Sequence, residues 1–206
     1  MGLIDQLTDK SWLPGQDRAE NLQISGEFAL PVEKLGLRVF LAVVTVLFSL
    51  FVVVYIDRMA LTDWRPLPMP WLMWLNTAVL VLGSVGMQKA RIAVNRRDMD
   101  GVRTGLLAGG GFAVAFLAGQ LWAAQQLLAL GYYAASNPAN AFFYLITAVH
   151  AVHLLGGLVA WGRTAAKAWW RNFEAEQVRM SVELCAVYWH FLLVVWLVLF
   201  GLLLLT

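Results

Sequence analysis

Charge is scarce in this chain of 206 residues: Asp, Glu, Lys and Arg make up 14% of it, where an average soluble domain carries about a quarter. One cysteine, Cys185, excludes an intrachain disulfide, and with three histidines it leaves no Cys/His cluster at zinc-type spacing. No basic stripe lies along a helical face, so the net charge of +2 does not point to nucleic acid as a partner. A basic start running straight into an apolar core is also missing, so no signal peptide is expected. Residues 1–36 are polar and mixed in charge, with Trp12-Leu13-Pro14-Gly15 as local punctuation, and read as an uncleaved tail on the cytoplasmic surface. What is abundant is apolar: 60% of residues are hydrophobic and the mean hydropathy is +0.67. A soluble enzyme and a disordered chain are excluded together.

The few charges divide the chain. A bilayer core about 30 Å thick takes about 20 helical residues. Residues 39–56, 66–88, 104–162 and 184–206 hold no formal charge. The third window is more than twice one span and must fold back, with Gly131-Tyr132-Tyr133 and Asn137-Pro138 marking the turn. The fold class expected is therefore all-α, an integral membrane bundle of five transmembrane helices. Their ranges are about 37–57, 70–89, 104–129, 140–162 and 182–205, within a single domain covering 37–206.

Placing the N-terminus inside puts every Lys and Arg except Arg58 and Arg65 on the cytoplasmic side, as the positive-inside rule requires. The C-terminus is then periplasmic. Trp64, Trp71, Trp74, Trp122, Tyr132 and Tyr133 fall at the outer boundary, and Trp161, Trp169 and Trp170 at the inner one, as aromatic belts.

Polar side chains inside the spans are functional candidates, because hydrocarbon offers them no water. They are Asn76 and Thr77 in the second helix, Gln120 in the third, His150 and His153 in the fourth, and Glu183 and His190 in the fifth. His150 and His153 share a helical face, as do Glu183 and His190. Counted at about 1.5 Å per residue from Arg163 and Arg179, His153 and His190 both lie about 15 Å deep. Three readings stay open: bis-histidine haem ligation by His153 and His190, a proton relay through Glu183, His190 and His153, or interhelical hydrogen bonds with lipid anchoring. The last is favoured, because a di-haem protein needs more histidines and no acid lies deeper than Glu183. Gly105-x-x-x-Gly109, Gly110, Gly111, Gly156 and Gly157 suit tight helix packing, and Trp189 and Trp196 read as a packing stripe. No nucleophile–base pair or phosphate-cradling loop is present, so no self-contained catalytic site is expected.

Residues 181–200 carry Glu183, then Tyr188-Trp189-His190-Phe191 and Trp196. This resembles the last helix of subunit III of the haem–copper (cytochrome c) oxidases, where a Glu precedes Tyr-Trp-His-Phe-x-x-x-x-Trp. The His-x-x-His and small residues of the preceding family helix are matched by His150, His153, Gly156 and Gly157. Two further family segments are matched by Leu75-Asn76-Thr77 and by Phe116-Leu117-Ala118-Gly119-Gln120. The order is that of the family across 34–206, and the length suits its short five-helix bacterial form. Three family carboxylate positions are apolar here, at Val44, Ala123 and Leu193, which weakens any proton-uptake role.

The resemblance implies a cofactor-free, non-catalytic subunit of a terminal oxidase in the bacterial inner membrane. It would pack its apolar helix faces directly on oxidase subunit I, with subunit II in the same complex, and hold phospholipids. Haem and copper would sit in the partner subunits, which reduce oxygen to water. Glu183, His190, His150, His153, Gln120 and Asn76 are then a structural and lipid-holding set, expected to fasten the fifth helix to the fourth. Two alternatives remain at this point: a small b-type cytochrome using His153 and His190, and an accessory subunit of a related nitric oxide reductase.

Overall fold

The computed structural model describes residues 32–169 and 175–205. The chain divides into two units, Met1–Gly36 and Leu37–Thr206. Residues 1–31, which hold most of the expected tail and its Trp12–Gly15 punctuation, lie outside the described residues, as do Trp170 and Arg171. Among the described residues there is no strand. Five long helices follow one another: α1 (Val32–Met59), α2 (Leu72–Asn95), α3 (Met99–Ala129), α4 (Pro138–Trp169) and α5 (Ala175–Leu204). Each is long and apolar enough to cross a membrane.

Most of the helices outrun the charge-free windows. α1 begins at Val32 rather than near 37, α3 at Met99 rather than 104, and α4 continues to Trp169 rather than 162. The cause is that a charge ends the hydrocarbon span but not the helix. Glu33, Lys34, Arg103, Arg163 and Lys167 are good helix formers, so backbone bonding continues past the membrane edge. Between α2 and α3 the chain turns within Arg96–Asp98, with Arg97 at a φ of 57°. Asp98 caps α3, its carboxylate accepting from the Gly101 amide at 3.0 Å.

The return between α3 and α4 falls where the sequence places it. Gly131 sits at a φ of 87°, a conformation that costs glycine little, and a short 3₁₀ turn, Ala134–Ser136, precedes α4. Asn137 then ties two loops together. Its Nδ2 donates to the Arg65 carbonyl at 2.6 Å, and its Oδ1 accepts from the amide of Ala139 at 3.2 Å. Nearby, Trp64 lies edge-on to Tyr55 at 4.9 Å.

Glycine sets the helix spacing. α2 and α3 lie so close that a Cβ on Gly105 would stand 2.6 Å from the Ala90 nitrogen, and one on Gly86 would stand 2.9 Å from the Gly109 nitrogen. Such close backbone approach is how helices gain dispersion contact in lipid. Gly110 makes room for the Trp161 ring, whose Nε1 donates to the Leu106 carbonyl at 2.8 Å. Trp161, expected in the inner belt, thus also packs α3 against α4. On α4, Gly157 receives the rings of Tyr188 and Trp189 from α5. Trp196 of α5 reaches α2, where its Nε1 donates to Thr77 Oγ1 at 3.0 Å.

α1 differs from the rest. Its backbone stays back from the other four helices, and it meets them through Val44, Phe48 and Tyr55, which are buried. Trp71, Trp74, Trp122 and Tyr133 are exposed, as belt residues should be.

Candidate functional site

Two histidines one helical turn apart on α4 mark where α1, α4 and α5 converge. His150 is 1% exposed and is surrounded by rings: Phe48 of α1 at 6.3 Å, Phe116 of α3 at 6.0 Å and Trp196 of α5 at 5.2 Å. Neither of its ring nitrogens has a hydrogen-bond partner among the described residues. His153 is half-buried and turns toward α1, with Phe40 at 6.5 Å and Phe48 at 5.3 Å. Its Nδ1–H donates to the Val149 carbonyl at 2.8 Å, which leaves Nε2 as the lone-pair side of the neutral ring. The carbonyl of His153 accepts from the Tyr188 hydroxyl of α5 at 2.8 Å.

His190 is elsewhere. The residues of α5 that meet α4 are Ser181, Tyr188 and Trp189, and at about 100° per residue His190 points roughly half a turn away from Tyr188. Its Nδ1–H donates to the Ala186 carbonyl of its own helix. No hydrogen bond or ring contact joins it to His150 or His153. Bis-histidine ligation needs His153 and His190 to face each other across α4 and α5, and the rotation of α5 sets them apart, so the b-type cytochrome alternative is corrected on that ground. Glu183 lies on the His190 face and pairs with Arg179 at 3.0 Å.

The remaining candidates are spread through the bundle. Asn76 is buried, with its side-chain amide against the backbone of Gly119, where a Cβ would overlap its oxygen. Gln120 borders a groove of about 280 Å³ between α3 and α4, together with Thr147 and Ala151. The amide nitrogens of Asn76 and Gln120 have no partner among the described residues.

Because α1 stands off, two cavities open along it. One, about 430 Å³, lies among α1, α4 and α5, with Phe40, Gly156, Ala160, Leu184 and Tyr188 on its walls. Arg163, Lys167 and Ser181 line its other end, and Lys167 Nζ lies 3.2 Å from Ser181 Oγ. The second, about 340 Å³, separates α1 from α5 farther along and is lined by Phe48, Val52, Phe191, Val195 and Leu199. Sequence reasoning took Arg163 and Lys167 as orientation charges alone. Their recurrence with Gly156 and Ala160 at steps of three and four residues is the signal that places them on one face. Among the described residues no group of three or more His, Cys, Asp or Glu stands where it could hold a metal ion.

Comparison with known proteins agrees with this architecture. The family model for cytochrome c oxidase subunit III matches residues 10–205. A cytochrome c oxidase subunit 3 of Synechocystis sp. is 28% identical over 174 residues, which cover 80% of this chain and 72% of that protein. A probable cytochrome c oxidase subunit 3 of Nocardia farcinica is 29% identical over 157 residues, 74% of this chain and 77% of the relative. One of Mycobacterium tuberculosis is 30% identical over 124 residues, 60% of this chain. The chain spans 61% of the length of that mycobacterial relative. With five apolar helices in a multi-pass membrane bundle and a family match running over nearly all its length, the chain belongs to the cytochrome c oxidase subunit III family.

Proposed function

We propose that this chain is the cofactor-free subunit III of a haem–copper terminal oxidase in a bacterial inner membrane. It packs on catalytic subunit I, with subunit II in the same complex, and leaves to them the haem, the copper and the reduction of oxygen to water. Its own task is structural: it holds phospholipid against the complex and prolongs the life of the catalytic subunit under turnover. The N-terminus lies on the cytoplasmic side and the C-terminus on the periplasmic side.

The observation that carries the lipid role is the cavity of about 430 Å³ with Arg163 and Lys167 at one end and apolar walls beyond. A cation pair at the inner interface attracts a phosphate, and a dry slot leading into the membrane takes an acyl chain. His150 and His153, set among Phe40, Phe48 and Tyr188, fasten the three helices that form the slot. Asn76 and Gln120 brace α2 and α4 against α3.

The test is isolation of the complex from native membranes through a tag on this chain. Haem-bearing chains are expected to come with it, along with phospholipid measurable by mass spectrometry. R163A/K167A complexes are expected to keep the same chains, lose most of that lipid and start at the native rate of oxygen uptake, but inactivate sooner. Recovery of this chain alone from native membranes would end the oxidase reading, as would a Soret band that follows the isolated polypeptide in fixed proportion.

A further inference from the structure

One face of α5 is turned out of the bundle between Val187 and Leu197. Val187, His190, Val194 and Leu197 recur on it at steps of three and four residues, with Glu183, whose side chain is 18% exposed, and half-buried Gly201 in line beyond its two ends. Val187, Val194 and Leu197 are 41%, 58% and 45% exposed, Val194 also bordering the cavity between α1 and α5, and His190 is half-buried among them. At about 1.5 Å per residue His190 lies roughly 18 Å from the Val178 end of the apolar span and roughly 21 Å from its Leu204 end. It is therefore near the middle of the membrane. At comparable depth the outward faces of α1, α3 and α4 present Val46, Val114 and Val152, which lipid solvates without cost.

The hydrogen bond within α5 fixes what His190 offers. A carbonyl only accepts, so Nδ1 bears the proton donated to Ala186, and Nε2 of the neutral ring is an acceptor. Nε2 has no partner among the described residues. Acyl chains carry no donor, and lipid headgroups are too far from mid-membrane to reach it. A polar group in hydrocarbon is retained where another protein group meets it. A second feature of the same face agrees. A Cβ on Gly201 would meet nothing within 4 Å, so this bundle does not itself require glycine there, unlike Gly105 or Gly157. A glycine on an outer face is where another helix can approach closely.

We propose that this outward face of α5 seats a transmembrane helix of the catalytic subunit, with a side-chain hydroxyl or amide of that helix donating a hydrogen bond to Nε2 of His190. The inference rests on the reading that the chain is bound within an oxidase complex. It names the face and the bond by which that binding is made.

The native complex tests it by photocrosslinking. Benzoylphenylalanine in place of Val187 or Leu197, with His190 intact, is expected to give an adduct with the haem-bearing chain, while the same probe at Val114 or Val152 gives lipid adducts. In parallel, H190A is expected to lower the partner retained through a detergent titration by roughly threefold to thirtyfold, the range for one interhelical hydrogen bond. His190→Gln, whose amide oxygen can stand near the Nε2 position, is expected to restore most of it. Adducts at Val187 and Leu197 confined to lipid or to a second copy of this chain would overturn the inference, as would native partner retention by His190→Ala. If no haem-bearing chain accompanies the native protein at all, the oxidase reading fails first and this inference falls with it. That result is visible before any variant is made.

Discussion

His150 is bounded by aromatic rings that offer no hydrogen bond to either of its nitrogens. A buried polar atom left unpaired costs about 1–3 kcal/mol, whereas an apolar group of the same shape in its place is neutral or stabilising. His150→Phe is therefore expected to keep or raise the thermal midpoint of the purified complex. His150→Ala, which opens a cavity among Phe48, Phe116 and Trp196, is expected to destabilise it by about 2–5 kcal/mol. A loss on His150→Phe as large as on His150→Ala would show that the nitrogens are bonded in the assembled protein. The sequence showed that this residue was polar and membrane-buried. It did not show the ring cage, because Phe48, Phe116 and Trp196 come from three other helices. The positions where the family resemblance places carboxylates tell the same story from the other side: Val44 and Ala123 are buried, in an interior that has no use here for a charge.

At the scale of the element, helix number and order follow from where the charges stop, and the structure keeps both. The ends differ because charge-free length measures hydrocarbon while hydrogen bonding measures helix, so α3 starts at Met99 and takes its cap from Asp98. Helix rotation is the part the sequence does not carry. Glu183 and His190 do share a face, as their spacing requires, yet which neighbour that face meets depends on packing at Tyr188, Trp189 and Trp196. The Gly105-x-x-x-Gly109 repeat was legible as a close-packing signal, and its partners on α2, Gly86 and Ala90, became visible with the fold. A methyl group on Gly105 would press on Ala90 backbone, so Gly105→Ala is expected to cost about 1–3 kcal/mol by forcing α2 and α3 apart. Gly111 faces open space, and Gly111→Ala is expected to be neutral or to gain about 0.5–1 kcal/mol from the better helix former. Unfolding in mixed micelles with increasing dodecyl sulfate measures both, and equal effects at the two sites would refute the close-packing account.

For the whole molecule, the distribution of charge decides which way the bundle is inserted. Arg58, in the last turn of α1, pairs with Asp63 of the α1–α2 loop at 2.7 Å, and Arg65 is the other cation expected at that end. The α2–α3 turn holds Arg96 and Arg97, with Lys89 and Arg91 just before it and Arg103 just after. Cytoplasmic retention of Lys and Arg puts the second group inside in the orientation proposed above. In that proposed orientation the basic end of the larger cavity, at Arg163 and Lys167, is expected at the cytoplasmic leaflet, where anionic lipid is attracted most strongly. Orientation and lipid site are thus one argument, and the first is open to direct measurement. Thr62 and Arg96 are both exposed, at opposite ends of α2's flanking loops, while the native Cys185 is 4% exposed and gives little background. A membrane-impermeant maleimide added to spheroplasts is expected to label Thr62→Cys at once and Arg96→Cys only after the membrane is opened. Labelling in the reverse order would invert the bundle, and it would put the Arg163–Lys167 end of the cavity in the periplasmic leaflet.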